Sequence, residues 1–207
     1  MLAALVTTLL WSASVTFGHR SAKILGGTAA NFWRLTFATL FLALWAHTAG
    51  QGLAGAAFPL FFLSGVIGIG LGDVALFQAL PRLGSRLSVL LVQCLSAPFA
   101  ALTEYLWLGT KLTPSQLICG AVILTGVFLA LNPGKHLNLD RRELIIGVIF
   151  GAIAALGNAI GAVFSRKGFA VAEDAGQHLD GATTAYHRLI GGLLVGGICL
   201  LIVKRNF

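Results

Sequence analysis

Residues 65–131 read GVIGIGLGDVALFQALPRLGSRLSVLLVQCLSAPFAALTEYLWLGTKLTPSQLICGAVILTGVFLAL. A glycine-studded apolar segment carries a single acid, Asp73, and gives way to ALPRLGSR. A long apolar run interrupted by Pro98 follows, then the polar joint LGTKLTPSQ, then another apolar run. Apolar runs of roughly 20 residues are what a bilayer core of about 30 Å requires of a helix. The stretch therefore reads as two and a half membrane helices with their joints.

The rest of the chain fits the same solvent. Of 207 residues, 57% are hydrophobic and only 10% charged, and the mean hydropathy is +0.89. A soluble domain carries about 25% charged residues, so this chain has too few to cover itself in water. Seven apolar spans can be marked, at 2–17, 30–46, 59–80, 85–108, 114–131, 144–164 and 183–203. Sustained two-residue alternation, the mark of a barrel strand, is missing from all of them. The expected fold is an all-α polytopic bundle of about seven transmembrane helices, a multi-pass membrane protein whose first partner is the lipid bilayer.

Local signals place the joints. His19, Arg20 and Lys23 mark a boundary, and Gly26-Gly27 breaks the first helix. Trp33 and Trp45 stand near the ends of the second, as interfacial anchors do. Thr113, Pro114 and Gln116 form a helix start with a Thr-x-x-Gln capping box. Glycines four apart at 68/72, 147/151, 157/161 and 192/196 have the spacing that lets helix backbones approach closely in lipid. Pro98 removes one backbone hydrogen bond and is expected to bend its helix.

Asn132-Pro133-Gly134 closes the fifth span, and a polar linker, 134–143, follows. Beyond it, NAIGAVFSR (158–166) can be set against SASVTFGHR (12–20), pairing Arg166 with Arg20. TTAYHRLIG (183–191) can be set against AANFWRLTF (29–37), pairing Arg188 with Arg34. Helices 6 and 7 thus read as a second copy of helices 1 and 2, and a loop at 170–181 takes up the difference in offset. A repeat of odd helix number must invert in the membrane, a building plan of secondary transporters.

These residues carry a family resemblance. GLGDVALFQAL (70–80), Gly84, Arg86 and Pro98, LGTKLTPSQ (108–116), and Gly120 and Gly126 resemble the bacterial EamA-domain transporters of the drug/metabolite transporter superfamily. The resemblance implies two tandem five-helix domains that move a small metabolite across the bacterial inner membrane. On that pattern residues 1–133 are a complete first EamA domain, 134–143 the linker, and 144–207 the first two helices of a second, inverted domain. Three helices of the pattern are not in this sequence, so a truncated, non-transporting membrane protein or assembly subunit is the alternative function. The partner would then be a second copy or the remaining C-terminal helices. The sequence also departs from the family at Thr110, where an LGE motif usually carries an acid.

Within the spans a few polar residues can carry chemistry. An acid inside a membrane helix is costly and marks a functional site by default. For Asp73 two readings stay open: a fold-stabilising ion pair with Arg86 or Arg82, or a site coupling transport to protons. Gln93, Pro98 and Asn158 are candidates for the substrate pathway. The two amides lie at mid-helix depth, and a broken helix exposes backbone groups to substrate. Glu104, beside Tyr105 and Trp107, reads as an interfacial acid.

No hydrolytic set of Ser, His and acid lies at common depth, and no metal spacing joins the histidines or Cys94, Cys119 and Cys199. Neither catalytic residues nor a metal or cofactor is expected, and the reading is not an enzyme. Fourteen bases against seven acids could suggest nucleic acid, but they scatter over helix ends and so exclude it as partner. Counting them by side puts the N-terminus outside under the positive-inside rule, whereas the resemblance implies a cytoplasmic N-terminus. Alternating access of a small organic solute is the expected function.

Overall fold

The computed structural model describes residues 2–109, 113–131 and 140–205. All regular structure among them is helical: α1 (Leu2–Leu25), α2 (Gly27–Thr48), α3 (Phe58–Ser64), α4 (Gly72–Leu108), α5 (Pro114–Leu131), α6 (Arg141–Asp174) and α7 (Gly181–Arg205). A π-helical segment, Gly65–Leu71, joins α3 to α4 without a break. Three stretches, Phe58–Trp107, Arg141–Asp174 and Gly181–Arg205, are long and apolar enough to cross a membrane, and Pro114–Gly126 is a shorter apolar helix. Thr110 and residues 132–139, which hold most of the expected linker, lie outside the described residues.

The first of these stretches is two spans. Gly84 has φ 77° and ψ 166°, a conformation open to glycine alone, and the chain reverses there. Its contacts with α6 prove the reversal. Before Gly84, the partners Phe61–Gly168, Gly68–Gly161, Gly72–Gly157 and Leu83–Gly147 run in opposite directions. After it, Leu91–Gly151, Ser96–Ala155 and Glu104–Arg166 run in the same direction. Residues 58–83 and 85–108 are thus the two arms of a hairpin that holds α6, and with the reversal counted the described residues form seven helical arms, as many as the apolar spans.

Close approach explains the glycines. A Cβ on Gly161 would stand 2.8 Å from the Cα of Gly68, and one on Gly157 would stand 3.0 Å from the Cα of Gly72. Two of the expected small-residue pairs therefore face each other, backbone on backbone. In lipid, where apolar burial gives no net drive, such packing is what holds helices together. Ser64 ties the same seam: its hydroxyl donates to the Gly161 carbonyl at 2.6 Å and accepts from the Ser165 hydroxyl at 2.7 Å.

The neighbouring helices follow the same alternation. α2 runs antiparallel to α7, with His47 beside Tyr186 and Phe32 beside Gly197. α1 lies along the first arm, Gly18 against Phe77. Trp11, farther up α1, borders one cavity with Asp73, so α1 runs with the first arm and opposite to α6, as α2 runs opposite to α7. Pro81 deprives the Phe77 carbonyl of its helical donor, and Gly27, with no side chain, sits against that carbonyl group.

Several expected boundaries move. The α1 helix continues past Arg20 and Lys23 and stops before Gly26, whose φ is 81°. The α6 helix runs ten residues beyond the expected end at 164: no proline interrupts residues 165–174, and Gly168, a weak helix former, is buried against the Phe61 ring. Gly176 then closes it at φ 68°: its N–H donates to Glu173 O and the Gln177 N–H to Ala172 O, the Schellman pattern. The bend expected at Pro98 is not a break, since Gly84 is the one residue inside α4 with non-helical angles. The capping box at α5 forms: Thr113 N–H donates to Gln116 Oε1 at 2.8 Å, and Gln116 N–H to Thr113 Oγ1 at 3.3 Å.

Asp180 starts α7 just outside its apolar span. One carboxylate oxygen accepts from the N–H groups of Ala182 and Thr183 at 2.9 Å, and the Thr183 hydroxyl donates to the other. These bonds, those of Thr183 foremost, hold its carboxyl below the ordinary carboxylate value. A carboxyl so lowered stabilises the fold above its unfolded value, and the contribution fades as pH falls through the folded one. Asp180→Ala is expected to cost about 1 kcal/mol at neutral pH, and its deficit should shrink below about pH 4. Thermal unfolding in detergent at several pH values checks this, and an equal deficit at pH 3 and pH 7 would contradict it.

Candidate functional site

Mid-depth polar groups gather on two sides of α1. On one side, Arg34 of α2 and Asp73 of α4 form an ion pair with side-chain exposures of 35% and 21%. The same guanidinium donates to Asn31 Oδ1 at 3.0 Å and lies 5.3 Å above the Phe77 ring. Asn31 is fully buried. Arg188 of α7 reaches Asp73 electrostatically without an ion pair of its own among the described residues, and its Nε is buried with no hydrogen-bond partner. A cavity of about 20 Å³, bounded by Trp11, Ser14, Arg34 and Asp73, has room for one water.

The acid is therefore engaged, but not by either expected base. Arg82 lies nine residues beyond Asp73 on the same arm, about 13 Å along the axis at 1.5 Å per residue. Arg86 lies just past the hairpin turn, at that same far end. Arg82 instead faces Glu143 of α6 at 3.2 Å, donates to the Gln78 carbonyl at 2.6 Å and covers Phe150 at 5.5 Å. Glu104, read as an interfacial acid, pairs with Arg166 at 2.6 Å.

Arg34 and Arg188 were not singled out as site residues, although a signal existed. They are the equivalent positions of the aligned segments 29–37 and 183–191. Both converge on one acid because α2 and α7 flank the same arm.

On the adjoining face of α1, with Trp11 and Val15 as shared walls, a cleft opens toward the second arm and α6. It has two lobes of about 420 and 350 Å³, which share Thr8, Trp11 and Gln93. Arg86 and Ser12 line the larger lobe and Asn158 the smaller. The structure thus brings the two candidate amides, Gln93 and Asn158, to one cavity within the 300–1,000 Å³ range of small-molecule sites. Asn158 also donates to Ser96 Oγ at 3.3 Å, and Ser96 in turn donates to the Val92 carbonyl at 2.5 Å. That chain fixes the amide's orientation. Pro98 is not among the residues lining either lobe.

The family model of the EamA-like transporter family matches residues 1–132. Neither curated proteins nor solved structures provide a match.

Proposed function

The chain belongs to the EamA-like transporter family, a family of membrane transporters of the drug/metabolite type, and on that premise we propose that it moves a small polar organic solute through the cleft beside α1. The observation that carries this reading is the meeting of Gln93 and Asn158 with Trp11 at mid-depth, in a space of solute size. Transporter sites lie near the bilayer midplane, where the two repeats meet, and these residues come from α1, α4 and α6. Alternating access would rock α1 and α2 against α6 and α7 about the hairpin, in the bacterial inner membrane. Asp73 would serve coupling through its partner, since a proton arriving on the carboxylate releases Arg34.

Purified protein in proteoliposomes provides the test, with uptake of a labelled metabolite mixture read by mass spectrometry. Wild type should accumulate a defined set of solutes. Gln93→Leu and Asn158→Leu should each lower that uptake about tenfold or more, as expected when a substrate hydrogen bond is lost, at unchanged protein level. Absence of uptake above empty vesicles would sink the transport reading in favour of a non-transporting membrane subunit.

A further inference from the structure

We propose that the cleft takes an organic anion: a small carboxylate whose charge meets Arg86 and whose remaining polar groups meet Gln93 and Asn158. The inference rests on the transport reading and adds the class of solute.

The argument begins with the acids. The chain has seven, and every one is placed. Asp73 is taken by Arg34, Glu104 by Arg166 and Glu143 by Arg82. Asp140 precedes α6, Glu173 and Asp174 occupy its last turn, and Asp180 caps α7. None lines either lobe of the cleft. A cationic solute would find no counter-charge there, and moving a charge into low dielectric without one is prohibitive.

For an anion the balance is opposite. Arg86 lines the larger lobe and has no ion pair among the described residues, so its guanidinium is available for a bidentate carboxylate contact. Behind Trp11 the one mid-depth acid is offset by Arg34, and Arg188 adds a further positive charge at that depth. The potential in the cleft is therefore positive.

Spacing sets the shape of the solute. Arg86 and Gln93 are seven residues apart, two helical turns, on one face of the arm and about 10 Å along it. An extended molecule with a carboxylate at one end and hydroxyl or amide groups toward the other spans that distance. Thr8 and Ser12 on α1 supply further hydrogen-bonding groups facing the cavity, and Trp11 supplies an apolar wall.

The experiment uses the whole chain in detergent, with thermal unfolding read against probes of matched size and different charge: 4-hydroxybutyrate, 4-hydroxybutyramide and 4-amino-1-butanol, followed by a panel of carboxylates, amides and amines of up to six carbons. Carboxylates should raise the unfolding midpoint and the amines should not. In Arg86→Gln the half-effect concentration for the carboxylates should rise about tenfold or more, as loss of a charge-assisted contact implies. Arg86→Lys should retain part of the effect, and both variants should unfold like wild type without solute, because Arg86 is exposed and has no ion pair among the described residues. Stabilisation by amines or amides in preference to carboxylates, no response to any carboxylate, or an Arg86→Gln response equal to wild type would each overturn the proposal. Arg86-dependent carboxylate binding without vesicle uptake would refute transport and leave the anion site standing. Uptake restricted to amines or neutral solutes would do the reverse.

Discussion

Gly65→Ala is expected to destabilise the bundle by about 3 kcal/mol or more, the upper end of what overpacking costs. Gly65 is buried in the π-helical segment, and a Cβ there would lie 2.5 Å from the carbonyl carbon of Arg188 and 2.7 Å from its Cα. These are backbone atoms of α7, so no rotamer change can relieve the clash and the helices must part. Separation would also strain the neighbouring contacts of Gly191 with Val66 and Gly192 with Ile69. Gly120→Ala is the matched control: nothing stands within 4 Å of its Cβ position, so helix propensity makes it neutral or stabilising by up to about 1 kcal/mol. Unfolding by SDS titration in mixed micelles, followed by circular dichroism, measures both. Equal stability of the two variants would refute the close packing of the π-helical segment on α7.

The second large effect is electrostatic. Arg34→Met leaves Asp73 with no base in ion-pair contact at mid-depth and is expected to cost about 2 kcal/mol. That is less than the 3–5 kcal/mol of a fully buried broken pair, because the two side chains keep 35% and 21% exposure. Adding Asp73→Leu should recover part of the loss, since an apolar pair of similar volume is often tolerated where a lone charge is not. The coupling energy of the cycle isolates the ion pair. Arg82→Met, whose partner is Glu143 in the first turn of α6, should show no coupling with Asp73→Leu. A strong coupling there, with none at Arg34, would restore the Arg82 partnership that the axial spacing argues against.

Much of this was readable in the chain. Span lengths give the helix count, because bilayer thickness translates directly into residues, and Gly84 marks the hairpin where two spans meet. The Thr113–Gln116 capping box formed as read, since its partners are three residues apart and depend on nothing distant. The 68/72 and 157/161 glycine pairs were visible as spacing, but spacing does not say which pair meets which.

Ion pairing was legible only in part. Bringing Asp73 to Arg82 or Arg86 used proximity along the chain, whereas a straight helix carries residues nine apart away from each other. The partner came instead from α2, 39 residues earlier. Likewise Gln93 and Asn158 were separate mid-helix amides until α6 settled between the hairpin arms.

By itself, then, the sequence determined the solvent, the number and rough bounds of the spans, their caps and breaks, and the family, because each depends on composition, on residues within a turn of one another, or on motifs read in order along the chain. Tertiary structure alone decided that Arg34 holds Asp73, that Arg188 approaches it with no ion pair among the described residues, and that Arg86, Gln93 and Asn158 border one cleft that none of the described carboxylates lines. Those relations join groups tens of residues apart, and they exist only once backbone packing at the glycine seams has set the register of one helix on another.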